Sequence, residues 1–258
     1  MRYTFGHTDT AAERLRRIAN FFNPLAFNFI RENLGDRLYR VADLGCGPGY
    51  TTNMLATATA SREVFGIDIS GYFISLCKKI YPKYNFLQAD LTRWKTDLSF
   101  DLLHCRFLLS HLSNIPALLQ NWMSYLCSGG VLVIDELEDI LTEVPVFKRY
   151  LEISDALIHS QGADLYIGKR LNHYLKDFKI LTNYTETIAV EDSMAAGWFY
   201  PNTISIWMKE KYILNTVTET ERSALSEDLM ILKNQEGKNS RITWKMKKII
   251  LTRKSKHK

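Results

Sequence analysis

Three glycines fall within five residues in the stretch VADLGCGPGYTT, residues 41–52. Gly45, Gly47 and Gly49 follow a short apolar run that carries one acid, Asp43. Glycine lacks a Cβ, so it takes positive φ angles and lets a ligand lie directly on the backbone. A glycine turn between a buried strand and a helix is the usual cradle of a nucleotide-like cofactor. Two later apolar runs, EVFGID and YNFLQAD, close on the acids Asp68 and Asp90. A carboxylate at such a strand end can accept hydrogen bonds from both hydroxyls of a ribose. The dinucleotide fingerprint G-x-G-x-x-G would need a glycine where this chain has Tyr50, which weakens a nicotinamide or flavin reading. No G-K-[ST] follows, so the turn is not a P-loop.

Other residues could act on a second substrate. A general base is needed only where the nucleophile arrives protonated. By position the candidates are His7, His111, Asp135, Glu136 and Glu138, and no triad links them. Asp135, Glu136 and Glu138 together suggest a negative rim suited to an amine or a cation. Trp198, Phe199, Tyr200, Trp207 and Tyr212 crowd one stretch and could line a small-molecule pocket, with packing inside a cap as the alternative. Plainer roles stand beside these. Asp90 can cap the turn at Leu91-Thr92, and Asp68 can cap a helix starting near Gly71. Cys46 suits packing, His111 a packed or surface position, and Arg106 stands evenly between surface charge and site. The cysteines, Cys46, Cys77, Cys105 and Cys127, form no CxxC pair, so no metal site is expected.

The elements that must hold these residues alternate in type. A helix is expected over residues 10–34, broken or kinked at Pro24. Strands are expected at 41–44, at EVFGIDIS, at YNFLQAD, at FDLLHC and at VLVIDE, with helices between them, the longest from about 109 to 126. That alternation predicts an α/β fold with a mostly parallel sheet covered on both faces. Two further strands, FKILTNYTETIAV and ITWKMKKIILTR, complete seven, the last antiparallel. The expected layout is a single domain over 1–258 with an N-terminal helical lid at 1–36 and a cofactor core at 37–137. Helical cap insertions at 138–177 and 192–236 and a last strand with basic tail at 238–258 complete it.

Composition narrows the class. With 258 residues, 46% hydrophobic and 24% charged, the chain has the make-up of a globular protein with a core. No stretch approaches the ~20 apolar residues of a membrane span, no signal peptide is evident, and the scattered cysteines suit a reducing compartment. A soluble, cytoplasmic protein without a membrane partner is the expectation. Net charge is +5, and residues 233–258 hold ten Lys or Arg against Glu236 alone. A basic end can meet nucleic acid, but no aromatic platform or nucleic-acid motif accompanies it, so a solvated edge strand is favoured and a nucleic-acid partner stays open. Oligomeric state is not readable.

The ordered series resembles the class I S-adenosylmethionine-dependent methyltransferases over roughly residues 38–136. VADLGCGPG is similar to that family's first motif, an acid two residues ahead of G-x-G-x-G, which implies Asp43, Gly45, Cys46, Gly47 and Gly49 at the cofactor. The resemblance implies a Rossmann-like sheet, S-adenosylmethionine as cofactor and S-adenosylhomocysteine as product. It implies Asp68, with Ile69, on the ribose and Asp90, with Leu91, near the adenine. FDLLHCRFLLSHL matches the strand-four motif, placing Cys105, Arg106 and Phe107 beside the methionine part. YTFGHTD resembles the opening of small-molecule methyltransferases, implying Tyr3 and Phe5 near the cofactor. The expected reaction is transfer of a methyl group to O or N of a small-molecule acceptor by in-line displacement. Glu136, Trp198, Tyr200 and Trp207 are the substrate candidates, and His111 and Glu136 the candidate bases. The alternatives are a methyltransferase of RNA or protein docked through the basic tail, or a non-catalytic binder of S-adenosylmethionine.

Overall fold

The structure is a computed structural model that describes residues 8–35, 38–235, 237 and 239–254. Tyr3, Phe5 and His7 lie outside the described residues. The strands are β1 (Arg40–Leu44), β2 (Glu63–Asp68), β3 (Asn85–Gln88), β4 (Phe100–Arg106), β5 (Leu126–Thr142), β6 (Lys179–Val190) and β7 (Ile242–Thr252). They form one sheet in the order β3-β2-β1-β4-β5-β7-β6. β1 to β5 pair in parallel, and β7 runs antiparallel to both of its neighbours, β5 and β6. The expected mixed seven-stranded sheet is therefore present, with its last strand reversed.

Helices cover both faces of the sheet. On one face α1 (Asp9–Asn33) and α2 (Tyr50–Thr59) pack Phe29, Ile30 and Leu55 onto Val41, Leu102 and Val133. On the other, α4 (Ile115–Ser124) sets Leu119 and Trp122 against Leu103 and Leu132. α3 (Gly71–Ile80) flanks β2 and β3. Strands covered on both sides must be apolar throughout, which is why β1 and β4 read as unbroken apolar runs.

Three expected boundaries move. α1 continues through Pro24, because Phe22 on one side and Ala26, Phe29 and Ile30 on the other are all buried. Tertiary packing of that stripe outweighs the ~3 kcal/mol that an interior proline costs. The helix expected from 109 to 126 is split into a 3₁₀ turn, Leu109–His111, and α4, whose first turn holds Pro116. Proline is accommodated there because that N–H has no partner inside a helix.

β5 does not stop at Glu136. Its pairing with β7 runs from Val131↔Thr252 to Thr142↔Ile242, so residues 138–142 are strand rather than helical insertion. Beyond it follow α5 (Pro145–Ser160), α6 (Gly168–Tyr174), α7 (Asp192–Pro201), a π turn at Asn202–Ile206, α8 (Lys211–Thr216) and α9 (Glu219–Lys233). The far ends of β5 and β7 give Leu137, Ile140 and Trp244 to a second core shared with α5, α7 and α9. The basic tail is also less exposed than its charge suggests, since Lys247 and Lys248 are buried in β7. No helix of the described residues is long and apolar enough to cross a membrane.

Candidate functional site

The carboxyl ends of β1 to β4 open into one cavity of about 230 Å³. Its floor is the glycine turn. Gly45 has φ +71°, and a Cβ there would stand 2.7 Å from Leu108 Cδ1. The N–H groups of Gly45 and Cys46 both donate to Ile67 O, at 2.8 and 3.0 Å, fixing the turn to the end of β2. Gly47 N–H donates to Asp68 Oδ2 at 2.9 Å, and Ser70 N–H donates to Oδ1 at 2.8 Å. Asp68 thus ties two backbone segments together while lining the cavity, and each carboxylate oxygen can accept further bonds. Asp90 Oδ1 accepts from Thr92 N–H and Oγ1–H at 2.9 and 2.7 Å, which lowers its pKa, and Asp90 lines the cavity too. Both acids hold turns and line the cavity, while the helix cap expected of Asp68 is Ser70, whose side chain accepts from Phe73 N–H.

β4 delivers Arg106. Its Nη2 donates to Asn23 Oδ1 of α1 at 2.6 Å and to Thr51 Oγ1 of α2 at 2.7 Å. Its Nη1 has no hydrogen-bond partner among the described residues. Burial pushes this guanidinium's pKa down, opposed by the fields of Asp135 and Asp43. Phe107 follows at φ +52°, a left-handed conformation unusual for a bulky residue. The turn is held by Glu136, whose Oε1 accepts from the N–H groups of Leu108 and Leu109, both at 2.7 Å. Glu136 is fully buried, and burial pushes its pKa up to about 8. His111 ends the turn and lines the cavity, with its pKa lowered to about 4 by burial and then by Arg14. Its imidazole is neutral at neutral pH.

The opposite end of the cavity is aromatic. α1 contributes Arg14, Leu15 and Ile18, β5 Leu137 and Ile140, α5 Tyr150, Leu151 and Ser154, α7 Trp198 and Phe199, and β7 Trp244. Tyr150 stacks on Phe199 with centroids 4.2 Å apart and on Trp207 at 5.1 Å. Asn202 Nδ2 donates to Tyr150 Oη at 2.5 Å. Asn202 Oδ1 and Trp244 Nε1 are buried without a partner among the described residues. The acids in the lining are Asp68 and Asp90, both at the glycine-turn end; the cations are Arg14 and Arg106.

Residues 41–130 match the model of a family described as a methyltransferase domain. Over those residues the chain is similar to a methyltransferase domain. Trans-aconitate 2-methyltransferase of Rhizobium rhizogenes is 35% identical over 107 residues, covering 42% of this chain and 41% of the relative. The Escherichia coli protein of that name is 32% identical over 109 residues, covering 42% and 43%. The chain thus spans about two-fifths of the length of the curated relatives it matches. Among solved structures, coclaurine N-methyltransferase bound to N-methylheliamine and S-adenosylhomocysteine is similar in fold, with TM-score 0.56, 15% identity, and coverage of 89% of this chain and 72% of that one. The plantazolicin methyltransferase BpumL with S-adenosylhomocysteine gives TM-score 0.53 at 15% identity, covering 95% and 89%.

The fold brings Gly45, Cys46, Gly47, Asp68, Ile69, Asp90, Leu91, Arg106, Phe107, His111 and Trp198 to one cavity. Other residues expected there are elsewhere. Asp43 points beneath the turn, where Thr52 Oγ1 donates to Oδ2 at 2.8 Å and His104 Nδ1 lies 3.3 Å from Oδ1. Gly49 is the N-terminal cap of α2, at φ +82°. Cys105 is fully buried in the core on the α4 face of the sheet. Glu136 holds the turn and is not part of the cavity lining. Trp207 is buried behind Tyr150, and Tyr200 turns to α9, with its Oη 3.8 Å from Met230 Sδ.

The expected negative rim is absent from the lining. Asp135 Oδ2 accepts from the buried Lys248 Nζ at 2.9 Å, and Glu138 Oε2 accepts from Thr185 at 2.6 Å with Lys247 at 3.8 Å. The cause is register: β7 sets Lys248 opposite Asp135 and Lys247 opposite Glu136. Sequence reasoning missed Arg14, Leu15, Ile18, Tyr150, Asn202 and Trp244. For Arg14 a signal existed, since it stands four residues before Ile18 and extends the apolar stripe of α1 with a charge.

Proposed function

We propose that this chain transfers a methyl group from S-adenosylmethionine to a small acceptor, and that the acceptor arrives as an anion, with oxygen as the nucleophile. The reading rests on the convergence of the glycine turn, Asp68, Asp90 and Arg106 on a single cavity. The residues fit such a cofactor: Gly45 and Gly47 hold a positive-φ turn that bares the main chain, and Arg106 Nη1 is a buried donor awaiting an acceptor. Asp68 would take the ribose hydroxyls, Asp90 and Ile69 the adenine side, and the glycine turn the methionine part. When bound, the cofactor supplies a methyl group activated by a sulfonium.

The protein's share is to position the acceptor and exclude water. Trp198, Phe199 and Trp244 keep that end of the cavity dry, and Arg14 stands in its lining. His111 titrates too low to be a strong base, and Glu136 does not line the cavity. A nucleophile that is already deprotonated, such as a carboxylate, needs neither. The relatives named trans-aconitate 2-methyltransferase agree with that choice. Four free thiols suit a reducing, cytoplasmic setting.

Calorimetric titration with S-adenosylhomocysteine tests the cofactor half, with NAD as control. The expected result is roughly micromolar binding, lost in Asp68→Ala and absent for NAD. Failure of the wild type to bind removes the reading. Release of S-adenosylhomocysteine in the presence of trans-aconitate or other small carboxylates, and not of amines, tests the acceptor half.

A further inference from the structure

Resting on the reading that an anionic acceptor is methylated here, we infer that Trp244 and Asn202 select that acceptor. They fit a flat apolar molecule with a carboxylate at one end and a hydrogen-bond donor, such as a hydroxyl, at the other. Both residues line the cavity, at 6% and 2% exposure. Each carries a buried polar atom without a partner among the described residues, Trp244 Nε1 and Asn202 Oδ1. A polar atom shut away from water and left unbonded is costly, so a ligand that meets it gains affinity. The two atoms need opposite partners. An indole N–H only donates and an ionised carboxylate only accepts, so a carboxylate oxygen satisfies Trp244. It cannot satisfy Asn202, whose Nδ2 is engaged with Tyr150 Oη at 2.5 Å and whose remaining oxygen needs a donor.

Local irregularities mark both positions. β5 and β7 shift register between Leu137 and Asp139, and past that shift Trp244 stands opposite Ile140, which also lines the cavity. Bulges of this kind re-aim side chains beside sites. Asn202 opens the π turn after α7, a form frequent at functional sites. Between the two runs a ring stack. Trp244 faces Phe199 with centroids 6.3 Å apart and planes at 21°, and Phe199 faces Tyr150 at 4.2 Å and 16°. Near-parallel rings suit a flat body laid along them. The Trp244 ring also lies 6.2 Å from that of Phe107, in the turn after Arg106, so its end of the stack borders the cofactor side. The carboxylate therefore belongs at Trp244 and the hydroxyl at Asn202. Transfer forms an O–CH3 bond on the carboxylate and breaks the methyl–sulfur bond, whose electron pair stays on sulfur. The product is a methyl ester, and no proton is released. A polycarboxylate fits poorly: the cations in the lining are Arg14 and Arg106, and Leu137, Ile140 and Leu151 would meet any further carboxylate without a partner. Trp244 and Asn202 also lie outside residues 41–130, so the family match does not extend to them.

The test is titration calorimetry on the full chain saturated with S-adenosylhomocysteine. The ligands are para-hydroxybenzoate and para-hydroxycinnamate, their counterparts benzoate and cinnamate, and trans-aconitate. In at least one pair the hydroxylated member should bind about 3- to 10-fold tighter, the range of a neutral hydrogen bond, and trans-aconitate should bind more weakly than that pair. Asn202→Leu should abolish the preference while holding the unsubstituted member within about threefold. Trp244→Phe keeps a ring without the donor, so it should weaken both members by about 10- to 100-fold and leave the preference in place. Binding of S-adenosylhomocysteine by both variants within about threefold shows that the site is folded. With S-adenosylmethionine, mass spectrometry should find the methyl ester. No hydroxyl preference in either wild-type pair, or the same preference in Asn202→Leu, overturns the inference whether or not the other variant folds. A methyl ether in place of the ester also overturns it. If trans-aconitate binds tighter than every monocarboxylate, this acceptor class falls and the anionic-acceptor reading stands. Wild type that binds S-adenosylhomocysteine and none of the five ligands removes the inference alone; wild type that does not bind S-adenosylhomocysteine removes the cofactor reading with it.

Discussion

At the glycine-turn end the cavity faces a bare main-chain turn and residues on strand ends, all between Gly45 and Leu112. At the other end it faces rings and polar tips from α1, β5, α5, α7 and β7, spread from Arg14 to Trp244. The first end is held by hydrogen bonds such as Gly47 N–H to Asp68 and Leu108 N–H to Glu136. The second is held by packing, with Trp198 in ring contact with Phe21, Phe22 and Trp244. In the reading proposed above, a cofactor of fixed chemistry is met by backbone geometry that few residues can supply. An acceptor is met by side chains, which can change without disturbing the sheet.

The largest expected effect tests that separation. Trp198 is 2% exposed, and Trp198→Ala should destabilise the protein by about 3–5 kcal/mol, the range for a buried ring. Urea unfolding would measure it. Binding of S-adenosylhomocysteine by the folded protein should change by no more than about threefold, because the two ends share no hydrogen bond through this ring. Asp68→Ala should show the reverse pattern, losing the ligand with a smaller change in stability. If both variants lose both properties together, the two ends are one cooperative unit and the comparison fails.

Glu136 ties β5 to the turn after β4 and gives the next effect. Its folded pKa of about 8 lies above the ordinary value of 4.5, so the native state holds a proton that the unfolded chain releases. Its contribution is full below pH 4.5 and is lost as pH rises toward 8. By pH 7 the loss should reach roughly 3 kcal/mol. Glu136→Gln keeps a carbonyl oxygen for Leu108 and Leu109 and has no proton to lose. Unfolding at a series of pH values should therefore show the variant gaining on wild type as pH rises. Parallel curves would mean that Glu136 is not held protonated by the fold, and would return it to the candidate bases.

How much of this was legible follows from where each decision is made. The turn, Asp68 and Asp90 are local: each lies at the end of a short apolar run, and the chain within ten residues sets its position. Arg106 was readable as a strand-end residue, while its partners Asn23 and Thr51 were not, being 83 and 55 residues away. The length of β5 is decided by pairing with β7, more than a hundred residues later, and that pairing also draws Asp135 to Lys248 and away from the rim. Pro24 misled because local propensity was outweighed by the buried stripe around it.

The smallest effect concerns neighbours in sequence that the helix separates. Trp198 and Tyr200 are two residues apart on α7, and residues so spaced do not share a helix face. Trp198 lines the cavity; Tyr200 lies toward α9, with the Lys233 ammonium 5.2 Å from its ring centroid. The Tyr200 hydroxyl contacts Met230 Sδ at 3.8 Å, a weak bond on an exposed edge. Tyr200→Phe should therefore change stability by less than about 0.5 kcal/mol and leave methyl transfer within about twofold. Because the substitution removes a single oxygen, a tenfold loss of turnover could not come from repacking. It would mean that the hydroxyl reaches the acceptor, and so that α7 turns its other face inward when the acceptor is bound.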